Sequence, residues 1–414
     1  MNKVKRKTWE HPWSYKESFV IAFAVMLLGF LIEFISGGSG VSAPSWPNNL
    51  YLLLGILNFN VIAYVLYKDH PIVKWMGRVP AAVSAISIFT VLILMMGFTL
   101  QEDAAASDLV RRLGLSHVTR SWPYLLVVLY FLLTLGFVTL RKVLPWKNKN
   151  IGFLLNHLGL WIIIVGGILG SGDLMRLRMS LNEGKTTDVA TDYRGQAYEM
   201  PFAIHLNDFM IDEYPPKVGI IDKNLGALAG EEHKSFFEAA EGYVGEIGNL
   251  QFEVLRFYPE SMRQGDVFQE FKGEGSAPAA EIRLFNKQNQ TLKTGWICSG
   301  NAFQKAEYFD FDEQFALMML QPVAKEYSSN IKLITDEGAE EFDLLVNVPV
   351  RRMGYTIYQV GYDERFGRHS TLSVLEIVRD PWLPLVYLGI FMVIAGSLYI
   401  FWIGRKEKIN TENE

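Results

Sequence analysis

The stretch NHLGLWIIIVGGILG, residues 156–170, is apolar except for an asparagine and a histidine at its start. A transmembrane helix needs roughly 20 consecutive apolar residues, and similar runs occur elsewhere in the chain. The predicted spans are 18–35, 50–67, 80–100, 123–140, 151–170 and 382–403. The sequence therefore predicts an integral membrane α-helical bundle of six spans, with the first five close together.

The distribution of charge predicts how the chain is divided. Its 414 residues are half hydrophobic and one-fifth charged, which fits neither an ordinary soluble domain nor a pure membrane bundle. Lys and Arg concentrate in the N-terminus 1–17, in the tail 404–414 and after the second and fourth spans. Because basic segments stay in the cytoplasm, both termini are predicted to be cytoplasmic. Residues 171–381 then form an extracytoplasmic domain between the membrane region 18–170 and the last span, 382–403.

The segment 171–381 is predicted to be a large all-β domain, with a sandwich-like or barrel-like sheet. Short runs of alternating apolar and polar residues, rich in Val, Ile, Phe and Tyr, are typical of strands. In VNVPVRRMGYTIYQVGYD, two strands are predicted to be joined across RRMG, where Gly354 gives the turn its freedom. The stretches 221–249 and 261–279, rich in Gly, Ala and Glu, are predicted to be longer loops.

The predicted external domain is acidic. It has 34 Asp and Glu residues against 21 Lys and Arg, a balance of −13. Such a charge either attracts a basic partner or only keeps the domain soluble, and it gives no support for nucleic-acid binding. The single cysteine, Cys298, excludes an internal disulfide and CxxC chemistry, and is interpreted as a small buried hydrophobe rather than a reactive thiol.

The helix 151–170 is predicted to have two different faces. On a helical wheel the glycines share one face, which favours close packing against another helix. They are Gly152, Gly159, Gly166 and Gly170. His157 and Trp161 lie on nearly the opposite face, with Ile164 and Ile168.

Ionisable side chains in membrane helices are expensive and usually face a partner, a cavity or a cofactor. For His157 the options are a haem iron ligand, another metal, a proton relay, a hydrogen bond to a neighbouring helix, or a position in the headgroup layer. No other predicted span contains histidine.

Glu33, near the end of the first span, is interpreted as interfacial. His117 is a weak candidate for contact with a partner or headgroups, and the histidines of the external domain are interpreted as solvated. Those are His205, His233 and His369.

Several segments together resemble the ResB-like (CcsB-type) family of cytochrome c biogenesis proteins, known as System II. The resemblance runs from about residue 113 to about 403. It rests on LGLSHVTRSWPYLLVVLYFLLTLGFVTLRK, NHLGLWIIIVGGILG, SLNEGK with PFAIHLNDFMIDEYP, VNVPVRRMGYTIYQVGYD, and DPWLPLVYLGIFMVIAG. Two departures are a cysteine often present in the family's second span, which is missing here, and two additional spans, 18–35 and 50–67.

The resemblance implies a subunit of a membrane cytochrome c synthase and haem exporter. His157 would be one axial ligand of haem b in transit, and Trp161, one turn further on, would pack against the porphyrin. The implied partners, besides the lipid bilayer, are a separate CcsA-type membrane protein, which supplies the second ligand, and apocytochrome c. The chain would be a non-catalytic or co-catalytic subunit of this haem lyase, and no catalytic residue is assigned.

Two other functions compete with this one. The chain would act as a structural scaffold for the CcsA-type partner if it bound no haem itself. An electron-transfer subunit of the cytochrome b type is disfavoured, because such subunits need histidine pairs on their own spans.

Overall fold

The computed structural model describes residues 9–101, 106–229, 236–247 and 250–412. The chain divides into two compact units. One contains residues 1–174 and 379–414, and the other contains residues 175–378.

The first unit is helical. Its helices are α1 (Tyr15–Ile35), α2 (Asn48–Tyr67), α3 (Pro71–Met76), α4 (Val79–Phe98), α5 (Asp108–Arg112), α6 (Trp122–Val143), α7 (Ile151–Gly170) and α8 (Leu383–Glu412). Among the described residues, six helices are long and apolar enough to cross a membrane: all of these except the short α3 and α5. The predicted six-span architecture is confirmed, and the chain fits a multi-pass membrane protein.

The glycine face of α7 packs on α8. A Cβ atom built on Gly159 would lie 2.7 Å from the carbonyl oxygen of Gly389, and one built on Gly389 would lie 2.7 Å from that of Gly159. Gly152 is similarly close to Ile400 of α8, and Gly170 is close to Trp382, the residue just before α8. Only glycine allows backbones to approach this closely, so the predicted packing role of this face is confirmed.

The second unit is built from strands. They are β1 (Met175–Asn182), β2 (Thr186–Thr191), β3 (Ala197–Glu213), β4 (Lys217–Asp222), β5 (Ala227–Leu228), β6 (Phe236–Glu238), β7 (Val244–Ile247), β8 (Leu250–Gln264), β9 (Val267–Glu270), β10 (Ala277–Asn286), β11 (Thr291–Cys298), β12 (Tyr308–Asp310), β13 (Phe315–Met319), β14 (Ala324–Thr335), β15 (Gly338–Leu345), β16 (Val350–Arg352), β17 (Tyr355–Tyr362) and β18 (Leu372–Arg379).

Eight of these strands form a sheet that nearly closes into a barrel. Their order is β15-β14-β3-β2-β1-β18-β17-β16. A parallel bridge between Val346, just after β15, and Gln359 in β17 brings the two ends of the sheet together. The alternating side chains of the strands fill its interior, and Met179, Ile204 and Ile357 are fully buried there.

The other strands form two smaller sheets with a shared core. Strands β7 to β11 make one sheet, and β4, β5, β6, β12 and β13 make the other. Val254 and Ile282 of the first pack with Val218 and Leu317 of the second, and all four are fully buried. The predicted all-β domain, sandwich-like and barrel-like, is therefore confirmed.

Two local predictions have opposite outcomes. Strands β16 and β17 are joined at Met353 and Gly354, which have φ values of 53° and 79°, as expected for the predicted turn. The prediction of long loops over 221–249 and 261–279 is wrong, because β5, β6, β7, β9 and the end of β8 lie there. Weak strand formers such as Gly, Ala and Glu are held in strands by pairing with β4 and β8. Residues 230–235 and 248–249 of the first stretch lie outside the described residues.

Candidate functional site

His157 lines a cavity of about 240 Å³ between four helices of the first unit. The residues around this His157 cavity come from α4, α6, α7 and α8. They are Ala82, Ile86, Phe131, Thr134, Leu135, Val138, Asn156, Leu160, Val393 and Ser397. Asn156 accepts a hydrogen bond from the Ser397 hydroxyl at 3.2 Å, which ties α7 to α8 beside the imidazole. The cavity is thus mainly apolar, with a single imidazole.

The His157 ring is held in place from one side. Its Nδ1 atom lies 2.9 Å from the carbonyl oxygen of Phe153. Donation from Nδ1–H to this carbonyl leaves the lone pair on Nε2, the arrangement that metal-binding histidines commonly use. The Phe153 ring stacks on the imidazole with centroids 3.6 Å apart, and the Lys142 ammonium lies 5.7 Å from the centroid of Phe153. Within the described part of the chain, Nε2 has no hydrogen-bond partner.

Trp161 lies close to His157 along α7 but in a different environment. It is buried, with 6% of its surface exposed, and belongs to the core of the helix bundle. It does not line the His157 cavity. The predicted contact between Trp161 and a porphyrin stays a prediction, whereas its packing against neighbouring helices is observed.

The His157 cavity could supply one ligand to a haem iron but has room for only part of the porphyrin ring. The donor is suitable, because an imidazole nitrogen with a free lone pair binds haem iron. The volume is below the roughly 300–1,000 Å³ of ordinary ligand pockets, so these residues alone do not enclose a whole porphyrin. Among the residues that the structure describes, no three His, Cys, Asp or Glu side chains form a metal-binding group.

Glu33, which the sequence analysis interprets as interfacial, is completely buried within the protein at the end of α1. Its carboxylate accepts hydrogen bonds from the backbone N–H of Gly40 at 3.0 Å and of Trp122 at 2.7 Å. His117 Nε2 lies 3.3 Å from the same carboxylate. A buried carboxylate must be satisfied in this way, so Glu33 connects the end of α1 to the following loop and to the start of α6.

Asp173, just beyond α7, makes a second polar junction that sequence reasoning missed. Its carboxylate accepts hydrogen bonds from Trp46 N–H at 2.7 Å, from Asn49 Nδ2 at 2.6 Å and from the Trp382 indole at 2.7 Å. Although burial raises the pKa of Asp173, these hydrogen bonds and the charge of Arg379 lower it below its ordinary value overall. The only signal in the sequence is an acidic residue directly after a membrane span.

The other histidines have local partners. His205 Nδ1 lies 2.8 Å from the Thr186 hydroxyl, and His369 Nε2 lies 3.1 Å from the carbonyl oxygen of Ser276. Both are half-buried rather than fully solvated. His233 lies outside the described residues.

Cys298 is buried at the end of β11, as predicted. Burial raises the pKa of its thiol to about 11. At pH 7.5 the thiolate fraction is then about 100-fold smaller than for a thiol at the ordinary value of 9.0. We expect iodoacetamide to label the folded protein at least that much more slowly than the chain in denaturant, and labelling to accelerate as the pH rises towards 11. Equal rates for the folded and unfolded chain at pH 7.5 would contradict this prediction.

One family model matches part of the chain. The ResB-like family model matches residues 147–252, which cover α7 with His157 and the first strands of the β unit. No curated protein matches the chain. A solved structure of the cytochrome c heme lyase CcmF is 13% identical, with a TM-score of 0.23, over 95% of this chain and 46% of that one.

The chain thus spans less than half the length of that lyase structure, and the TM-score does not establish a shared fold. The family match is independent of this likeness. Its matched region contains the only histidine of the described membrane spans. The resemblance predicted from the sequence is therefore confirmed over residues 147–252, where the chain matches the ResB-like family model.

Proposed function

We propose that this protein is a haem-handling membrane subunit in cytochrome c biogenesis. It moves haem outward for covalent attachment to apocytochrome c, together with a CcsA-type partner on a separate chain. Both termini are cytoplasmic and the β unit, which receives or positions the apoprotein, is extracytoplasmic. No catalytic residue is assigned, so the chain is a co-catalytic or structural part of the synthase.

The observation that carries the proposal is the state of the His157 imidazole. Its Nδ1 is held by the Phe153 carbonyl, and the residue lines a mainly apolar cavity between four spans. Haem, when bound, would supply an iron atom, and a neutral imidazole nitrogen of this kind is a ligand for haem iron. The match to the ResB-like family includes this residue.

Lys142 supports the same assignment through charge. It lies in the last turn of α6, close to the Phe153 ring, so a cation lies at the end of the bundle where His157 is found. Haem carries two carboxylates, which favour a nearby ammonium group over an apolar environment. The residues of this chain therefore offer the iron a nitrogen and the carboxylates a positive charge.

The partner is needed because this chain supplies only part of the site. No second histidine lies on its described spans, and the His157 cavity of about 240 Å³ is too small for a whole porphyrin. We propose that the partner contributes the second axial ligand and the remaining wall. Trp161 is buried in the core of the helix bundle, and its contact with the porphyrin stays a prediction.

The small volume also favours a second candidate, a scaffold that stabilises the partner and binds no haem. Both functions predict that deletion of the chain abolishes all c-type cytochromes, seen by haem staining of gels, while b-type cytochromes persist in membrane spectra. Intact c-type cytochromes in the deletion strain would contradict both. The two functions differ in their dependence on His157, which must be measured spectroscopically.

A further inference from the structure

A gap in the large sheet of the β unit opens into a cavity of about 820 Å³. The gap lies between the start of β14, residues 324–326, and the end of β17, residues 360–362. Strand β15 pairs with β14 only from Ser328 onward, and β16 pairs with β17 only up to Ile357. Within the described part of the chain, no strand pairs with either stretch on the side of the gap. We call this space the β14–β17 slot.

The slot is one strand wide, because the chain itself fills its beginning. Val346, just after β15, donates its N–H to the Tyr327 carbonyl oxygen of β14 at 3.3 Å and forms a parallel bridge with Gln359 of β17. A single extended segment therefore pairs with both strands at this level. At Asn347, which has a φ of 64°, the chain turns out of the sheet. The space in which this segment would continue stays open between the two strands.

Ala324 presents main-chain groups to the slot. The Tyr214 N–H donates to the Val323 carbonyl oxygen at 2.9 Å, and Ala324 is the next residue along the same ladder with β3. Because hydrogen-bonded and non-bonded pairs alternate in an antiparallel ladder, the N–H and C=O of Ala324 point away from β3. On the β17 side, the Gly361 carbonyl already accepts a hydrogen bond from the Gln359 amide at 3.1 Å. Main-chain pairing with an incoming segment therefore falls mainly on Ala324.

The walls of the slot are fixed by contacts within the unit. Tyr327 and Tyr362 line it, with ring centroids 5.2 Å apart in a T-shaped arrangement, and both pack on the barrel core. Arg368, in the turn after β17, donates to the Glu213 carboxylate at 2.6 and 2.8 Å and to Glu260 at 2.9 Å. These bonds tie the turn to β3 and β8. A preformed site of this kind loses little free energy to ordering when a ligand binds.

An extended polypeptide segment matches the slot in both width and chemistry. Strand addition uses main-chain hydrogen bonds for affinity and accepts side chains alternately on the two faces of the sheet. The three open residues on each side correspond to roughly 10 Å of extended chain, at about 3.3 Å per residue. A small apolar molecule would use neither the strand spacing nor the main-chain groups of Ala324.

We propose that the β14–β17 slot binds an extended segment of apocytochrome c as an added strand. This inference rests on the proposed function, because it gives the apoprotein a binding site on the β unit. A bound cofactor stabilises a folded chain, and an apoprotein that has not yet received its haem lacks this stabilisation. It therefore has extended segments to offer. Folding after haem attachment withdraws the segment, so the slot distinguishes substrate from product and releases the product.

Site-specific photocrosslinking tests the slot without haem transfer. The full-length chain in lipid nanodiscs carries p-benzoylphenylalanine in place of Val360, which lines the cavity and is 41% exposed. It is illuminated with haem-free apocytochrome c or with folded holocytochrome c. We expect an adduct with the apoprotein and at least tenfold less adduct with the holoprotein. Leu225 is the matched control position, because it is 78% exposed in the same unit but does not line the cavity.

Ala324→Pro removes the main-chain donor and should lower the adduct at position 360 at least fivefold. Ala324 is the first residue of β14, where proline is tolerated, and its N–H is not used by β3. Ala324→Ser is the matched variant, because it keeps the N–H and nearly the same size. It is expected to give the wild-type amount of adduct.

Three results would each overturn the proposal: equal adducts at positions 360 and 225, equal adducts with apocytochrome and holocytochrome, or equal effects of Ala324→Pro and Ala324→Ser. A crosslinked dimer of this chain in place of the apocytochrome adduct would also overturn it, since a second copy would then fill the slot. Failure of the proposed function is a different result. In that case the haem spectrum does not depend on His157, whatever the adduct at position 360 shows.

Discussion

His157→Gly, purified with the proposed CcsA-type partner, is expected to lose the haem Soret band by at least tenfold and to regain it when imidazole is added. Glycine removes the nitrogen donor and leaves a space of the same shape beside Phe153. Free imidazole can enter this space and offer its nitrogen to the iron. The measurement is the visible spectrum of equal amounts of wild-type and variant complex, with and without imidazole.

Leu158→Gly is the matched control for this experiment. Leu158 is the next residue of α7 and is 40% exposed, so its replacement introduces the same helix-weakening glycine without removing a donor. The control is expected to keep its Soret band. An unchanged band in His157→Gly would assign both ligands to the partner and leave this chain as its scaffold.

Glu33→Ala is expected to destabilise the helical unit by about 3–5 kcal/mol, because it removes the acceptor of two backbone hydrogen bonds and a hydrogen bond to a carboxylate contributes about 1.5–3 kcal/mol. The substitution leaves the N–H groups of Gly40 and Trp122 and the His117 ring without their acceptor in a buried place. Each donor left unsatisfied costs free energy, because water cannot reach the buried group to replace the lost hydrogen bond. The decrease should appear as a lower midpoint of thermal unfolding, followed by tryptophan fluorescence in detergent.

Two variants separate this effect from a general change of charge. Glu33→Gln keeps one acceptor oxygen and should lie between wild type and Glu33→Ala. Asp69→Ala removes an acid whose ion pair with Lys74, at 3.0 Å, is exposed, and it should change the midpoint little. Equal midpoints for Glu33→Ala and Asp69→Ala would show that the buried network does not hold the unit together.

The helices could be predicted from the sequence because membrane insertion depends on local composition. All six predicted spans agree with the structure to within about three residues at either end. The packing face of α7 was also predictable, since four glycines at helical spacing define one side of a single element. In the β unit, strong alternation identified long strands such as β3, whereas β5 and β7 depend on neighbours that composition does not reveal.

The parts of the site that could not be predicted depend on contacts between distant segments. Glu33 binds residues in the loop after α1 and at the start of α6, and nothing near it in the sequence indicates these partners. The presence of an acid in an apolar span was nevertheless a signal, because such a residue needs a compensating environment. The His157 cavity is likewise a space between helices, so no single segment contains its pattern. His157 was identifiable because it stands alone in an apolar helix.

The pairing of α7 with α8 has a consequence for biosynthesis. About 210 residues of chain separate Gly170 from Leu383, and ribosomes add roughly 5–20 residues per second. The glycine face of α7 is therefore made some 10–40 s before the helix that covers it exists. During this interval α7 is in the bilayer and its glycine face contacts lipid or other helices, because α8 has not yet been made. The β strands are still being synthesised. Completion of the membrane bundle is thus a late step of translation, and a chain that stalls within the β unit leaves His157 on a helix without its main neighbour.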